Sequence, residues 1–302
     1  MKTIIHIGGN KTASTLLQRR LFSRHQSLLY LGEDCYRYKE YKPILDALIA
    51  SDDSYFDESK AREIFDSRFA NLNDDKTCIY SNEDIMTNSF PSVGASRLAH
   101  FAPGAEVVMV IRNQLTVWPS WYANHGAYLK NVPRRYWRRH INFSEWLEYC
   151  FMFPTVTPVE AMNYNRFYQI FRKVYPKNTL HVLLYEELCQ NPKSYYSKWA
   201  EILNIPVEDI LKLLDGVSER RRSSGRKVIY ERWIDKLPFG NCLSEIIFRM
   251  MPFVPKLINQ GPPAVIDLPD EWIEKIKEQY RDGNAALAQT TGIDLKKYGY
   301  PI

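Results

Sequence analysis

The stretch IIHIGGNKTASTLLQRRLF, residues 4–22, decides the fold. An apolar run (Ile4, Ile5, Ile7) breaks at Gly8-Gly9, passes Lys11 and the hydroxyls of Thr12, Ser14 and Thr15, then resumes with helical spacing. A strand, a glycine turn and a helix start place free backbone N–H groups and the positive end of the helix in front of an anion. Lys11 adds a mobile charge, and the hydroxyls add donors. The nucleotide-hydrolase form, G-x-x-x-x-G-K-[ST], needs a second Gly just before its Lys. Asn10 stands there, so the stretch does not fit it. An ordinary strand-to-helix turn capped by Thr or Ser is the plain alternative.

Outward from this stretch, four apolar runs have strand length: Thr3 to Ile7, Thr77 to Tyr80, Glu106 to Ile111 and Thr179 to Leu184. Each is rich in Val or Ile, and helical segments separate them, as in a parallel sheet with crossover helices. Polar clusters follow each run: GGNKTAST, SNED, RNQ and YEEL. They fall at the carboxyl ends of the strands, where such sheets bind ligands. Helices are expected over Ser14 to Arg24, Lys60 to Ala70, Ala161 to Val174, Pro192 to Leu203 and Asp270 to Ala288.

At 302 residues the chain can bury a full core without a metal or disulfide framework. It reads as one domain, 1–302, in which 228–302 is a helical annex or lid. Within that part, Val228 to Gln260 is aromatic and apolar, with Pro238, Pro252 and Pro255. The 45% hydrophobic and 25% charged residues are those of an ordinary globular chain. The net charge of +5 suits anionic ligands without demanding nucleic acid. The five cysteines show no C-x-x-C pair and read as reduced thiols of a cytoplasmic protein. No signal peptide and no apolar run of membrane-spanning length is seen, so a soluble protein is expected.

The motifs resemble those of the sulfotransferases that use 3′-phosphoadenosine 5′-phosphosulfate (PAPS), particularly the bacterial, carbohydrate-directed branch. HIGGNKTASTLLQ is similar to their 5′-phosphosulfate loop, with Asn10 in place of the usual Pro. VVMVIRNQLTVWPSWY resembles their 3′-phosphate motif, a strand ending in Arg with Ser eight positions later and an aromatic after it: Arg112, Ser120, Trp121. LLYEELCQNP matches a third motif, in which the resemblance puts Tyr185 near the adenine. The tail DLKKYGYPI, after Asn284, Leu287 and Ala288, is similar to the ends of bacterial members.

The resemblance implies a P-loop-like three-layer α/β fold, with a mostly parallel sheet flanked by helices, and a metal-independent enzyme. PAPS would be the donor, held by Lys11, Thr12, Ala13, Ser14, Thr15, Arg112, Ser120 and Tyr185. A late loop, ERRRSSGRK (219–227), would bring Arg221, Ser223 or Ser224 to the 3′-phosphate; a solvated charged loop is the alternative. Likewise Arg112 could be an ion-pairing residue, Ser120 a helix cap, and YEEL a helix start with acids in its first turn.

Sulfuryl transfer needs in-line geometry and stabilisation of the charge that grows on the leaving phosphate, a task for Lys11. A hydroxyl acceptor also needs a base. Glu83, after the second strand, is the candidate; alternatively Ser81 and Asp84 cap a helix of which Glu83 is a first-turn acid. His6 and His125 compete for the role, His6 as a strand residue better suited to packing.

The acceptor implied is a hydroxyl of a saccharide or glycoconjugate. PRRYWRRH (133–140) would suit sugar stacking, RNA or a solvated basic face. The apolar run 243–258 would suit buried helix, an acceptor pocket or a membrane surface presenting a lipid-linked acceptor. A nucleotide kinase and a non-catalytic nucleotide- or RNA-binding protein are the rivals.

Overall fold

The computed structural model describes residues 2–9, 11–32, 38–69, 76–87, 90–125, 141–214, 216, 224–237 and 239–302. Its centre is a five-stranded, wholly parallel sheet: β1 (Lys2–His6), β2 (Leu28–Gly32), β3 (Thr77–Ser81), β4 (Glu106–Ile111) and β5 (Leu180–Leu184), in the order β2-β3-β1-β4-β5. β1 lies between β3 and β4, with His6 level with Ser81 on one side and Val108 on the other. The chain therefore leaves the central strand where the strand order reverses, which is where parallel sheets open a crevice at their carboxyl edge.

The helices are α1 (Ser14–Leu16, widening into a π-helical Leu17–Phe22), α2 (Tyr38–Ala50), α3 (Glu58–Phe69), α4 (Pro91–Phe101) and α5 (Gln114–His125). Then come α6 (Phe143–Met152), α7 (Pro158–Ala161), α8 (Tyr164–Arg172), α9 (Tyr185–Gln190) and α10 (Pro192–Leu203). The last are α11 (Val207–Leu214), α12 (Gly225–Asp235), α13 (Gly240–Met250), α14 (Val254–Asn259) and α15 (Asp270–Thr291).

Alternate residues of each strand feed opposite faces of the sheet. Ile5, Tyr80, Met109 and Ile111 join one core, with Trp118 of α5, Trp146 of α6, Phe167 of α8 and Trp272, Ile276 and Tyr280 of α15. Ile4, Ile79, Val108 and Val110 join the other, with Leu17 and Phe22 of α1 and Tyr195 and Trp199 of α10. Three layers result, as expected from four strands apolar on both faces.

The structure departs from the sequence reading in three places. β2, at the sheet edge, was not anticipated. The expected helix Ala161 to Val174 is two, α7 and α8, broken at Met162-Asn163. The stretch 228–302 is not uniform: Trp272, Ile276, Tyr280 and Leu287 of α15 lie in the main core, whereas α12, α13 and α14 pack chiefly on one another. No helix among the described residues is long and apolar enough to cross a membrane.

Candidate functional site

After β1 the chain stays paired to β4, Ile7 N–H donating to the Val108 carbonyl (2.9 Å) and Gly9 N–H to that of Val110 (2.8 Å). It then coils tightly. Lys11 and Ala13 both take left-handed backbone conformations, at φ 68° and 65°. Left-handed residues on either side of one that is not turn successive N–H groups into a concavity that suits an anion. A side chain on Gly8 has no room: its Cβ would stand 2.5 Å from Ser14 Oγ and 2.7 Å from His6 Nε2.

The capping alternative fails here. Ala13 is the N-cap of α1 and no side chain caps it. Thr12 Oγ1 donates instead to the Gly9 carbonyl (2.5 Å) and lies 3.2 Å from Ser14 Oγ, both residues being buried. The hydroxyls thus brace the loop itself. Lys11, Ala13 and Thr15 are half-buried at its rim.

Arg112 leaves the end of β4 and turns towards this loop. Its Nη1 donates to the Lys11 carbonyl (3.0 Å), while Nε and Nη2 donate to Thr116 Oγ1 and O (both 3.1 Å). The guanidinium also lies over the Tyr185 ring, 4.5 Å from its centroid. The three motifs, over a hundred residues apart in sequence at the first step, therefore meet at one side chain. Of the five guanidinium N–H groups, three are spent on these bonds, and the side chain is buried. Ser120 sits half-buried further along α5.

β3 contributes from the other side of β1. Asn82 N–H donates to the His6 carbonyl (3.2 Å), and a 3-10 turn, Glu83–Met86, follows at once. Asn82 caps this turn, its Oδ1 accepting from Asp84 N–H (2.8 Å), so neither Ser81 nor Asp84 is the cap. Glu83 is half-buried in the first turn, and Met86 packs towards Gly9. Of the late-loop candidates, Arg221 and Ser223 lie outside the described residues, as do 133–140 and the side chain of His125. Ser224 caps α12: its Oγ accepts from Lys227 N–H (3.1 Å) and donates to the Ile258 carbonyl.

His6 is packed, not poised as a base. It is almost fully buried against Phe22 and Trp199, and burial pulls its pKa down to about 3. Its Nδ1 is 2.8 Å from Ser81 Oγ, which also accepts from Gln18 Nε2 (3.0 Å). Nε2, on the side of Gly8, makes no hydrogen bond.

Two further groups were not recognised from sequence. Glu186 accepts from Asn113 N–H (2.9 Å) and the Tyr300 hydroxyl (2.8 Å), and Asn113 Nδ2 donates to the Tyr298 carbonyl (3.1 Å), so YEEL, RNQ and the tail are one knot. Gln114 and Asn284 exchange two side-chain bonds (3.1 and 3.2 Å) in the core beside it. A polar residue recurring in an apolar helical stripe, as Asn284 does, is the one signal that could have pointed to such a pair.

Fold and site together define a three-layer α/β protein with a tightly coiled loop, left-handed at Lys11 and Ala13, at the switch point of its sheet. No family model and no curated protein matches the chain. Solved structures do. It is similar to a sulfotransferase from Alicyclobacillus acidocaldarius (13% identity, 87% of this chain and 97% of that one, TM-score 0.47). It is also similar to the sulfotransferase domain from the curacin biosynthetic pathway (16% identity, 92% and 97%, TM-score 0.48). A third is a mouse sulfotransferase complexed with PAP, the 3′,5′-adenosine bisphosphate (12% identity, 84% and 86%, TM-score 0.42).

Proposed function

We propose that the protein is a sulfotransferase that moves the sulfuryl group of PAPS to a hydroxyl of a saccharide or glycoconjugate. The observation that carries this reading is the meeting of the Lys11 loop, Arg112 and Tyr185: a cationic concavity, a second cation, and an aromatic ring beside it. Those are the elements required to hold two separate phosphate positions and a base.

The donor, when bound, supplies the sulfuryl group and a phosphate leaving group. Lys11 and the loop N–H groups hold the bridging end and meet the negative charge that develops as the S–O bond breaks. Arg112 and Ser120 hold the 3′-phosphate, and Tyr185 flanks the adenine. Ser224, as the cap of α12, is bound to its own helix, and a nucleotide contact from it would have to compete with those bonds. Glu83, on the turn beside Gly9, takes the proton of the acceptor hydroxyl as its oxygen bonds to sulfur. No step in this scheme calls for a metal.

Calorimetric titration with 3′,5′-adenosine bisphosphate in the absence of metal, against AMP and ATP-Mg²⁺, tests the donor site. Wild type should prefer the bisphosphate, and both Arg112→Ala and Ser120→Ala should lose that preference, the latter without disturbing the loop. Tighter binding of ATP-Mg²⁺ would overturn the reading in favour of a nucleotide kinase. Bisphosphate binding without turnover over a broad acceptor panel would favour a non-catalytic nucleotide-binding protein.

A further inference from the structure

Exposed large apolar side chains are scattered over the body, as at Tyr55, Phe90, Met152 and Val265, but they are concentrated in α12–α14. Each of the three helical segments presents one exposed pair at i,i+4 spacing, and hence on one side of its helix: Ile229 and Trp233, Ile246 and Met250, Phe253 and Leu257. Their exposure runs from 47% (Leu257) to 74% (Met250). The inner sides of the same helices are satisfied, since Tyr230 stacks on Phe248 at 5.6 Å and its hydroxyl meets Ser244 Oγ at 3.0 Å, while Val228 and Ile234 are buried. The outward pairs are therefore not a core left half-made. Phe239, between α12 and α13, is 86% exposed and takes a left-handed conformation at φ 60°, which a bulky side chain adopts at a cost.

The charges around these pairs are one-sided. Among the described side chains from 225 to 259, the exposed basic residues are Arg226, Arg232, Lys236, Arg249 and Lys256, and the exposed acid is Glu245. Exposed Trp, Phe, Ile and Met with a rim of Lys and Arg is the composition of a helix that lies in a bilayer interface. A second copy of the chain would bring the same cations face to face across a two-fold axis.

We propose that α12–α14 dock on an anionic lipid surface, with Trp233, Ile246, Met250 and Phe253 entering the headgroup layer and the basic side chains meeting lipid phosphates. Docking would hold the enzyme beside membrane-bound material, while the sheet and its loop stay in water.

The test is co-flotation of the full chain with vesicles of phosphatidylcholine alone and of phosphatidylcholine mixed with phosphatidylserine, at low and high salt, for wild type and W233S/I246S/F253S. Wild type should float with the anionic vesicles and release with salt. Each lost anchor should weaken partition by about tenfold, the equivalent of one large apolar side chain. Circular dichroism and unchanged binding of 3′,5′-adenosine bisphosphate by the triple variant would show that the fold survives. Failure of wild type to float with anionic vesicles, or flotation unaffected by the triple substitution, would overturn the proposal. So would light scattering that finds a wild-type dimer broken by the same substitutions, which would assign the face to a second copy.

Discussion

The loop end of the sheet and the α12–α14 annex use their side chains in opposite ways. At the loop, polar groups are buried or half-buried and bound to one another: Thr12 on Gly9, Arg112 on Lys11, Glu186 on Asn113, Gln18 on Ser81 on His6. In the annex, large apolar groups face solvent. The first pattern costs desolvation and is repaid only if the geometry is exact, so it rigidifies. The second leaves hydrophobic free energy uncollected until something covers it. Substitutions in the first region should change stability and donor binding together, and those in the second should separate stability from association.

The largest effect is expected at Arg112. Replacing it with Ala removes three donors and leaves the Lys11 and Thr116 carbonyls in need of new partners. We expect a loss of about 4.5 kcal/mol in urea unfolding, at roughly 1.5 kcal/mol for each of the three charged hydrogen bonds. A Lys11 loop that keeps its stability without Arg112 would break the picture of an interlocked site. Gly8→Ala comes next. Both neighbours that its Cβ would strike, Ser14 Oγ and His6 Nε2, are themselves packed, so a cost of about 2–3 kcal/mol is expected from overpacking, with weakened bisphosphate binding in the same titration. An annex position with open space around it, Gly225→Ala, is the internal control, and it should shift the midpoint little.

A pH titration sharpens the contrast further. His6 titrates near 6.5 when unfolded and is held down to about 3 by burial. Below pH 6.5 the unfolded chain therefore takes up a proton that the folded chain refuses, and stability falls as pH falls from 6.5 towards 3. The slope is about 1.4 kcal/mol per pH unit, or about 2 kcal/mol between pH 6.5 and pH 5. Chemical denaturation of wild type and His6→Asn at those two pH values measures the difference, since other titrating groups are common to both. Equal losses in the two proteins would mean that His6 is accessible to protons.

These contrasts bear on what the sequence could reveal. β1, β3, β4 and β5 were legible because each is an apolar run that ends in a polar cluster, whereas Arg112 and Tyr185 were singled out by the resemblance of the clusters to known motifs. β2 was not: Leu28–Gly32 follows α1 after a short turn, and so brief an apolar run is indistinguishable from more helix. α2 carries Pro43 inside it, which argues against a helix when read locally. The bonds that lock the site were invisible because they join residues as distant as His6 and Ser81 or Gln114 and Asn284, whose identities alone carry no pairing rule. In the annex the reverse held. Apolar content was plain, but whether it was core or surface depends on which side of each helix faces its neighbours.

Phe239 brings both halves of the comparison to one residue, with the smallest effect. Its left-handed backbone is one that glycine adopts freely, and its ring is almost wholly in solvent, so Phe239→Gly removes conformational strain and loses almost no folded-state packing. Gly also enlarges the unfolded ensemble, so the net gain should be about 0.5–1 kcal/mol in urea unfolding. In a protein selected only for folding, that gain would be available at every generation. If the ring is kept because it enters lipid, the same substitution should stabilise the protein in water and weaken its flotation with anionic vesicles. A variant that is both more stable and equally bound would show that Phe239 serves neither purpose, and would leave its strained backbone without a function in the annex.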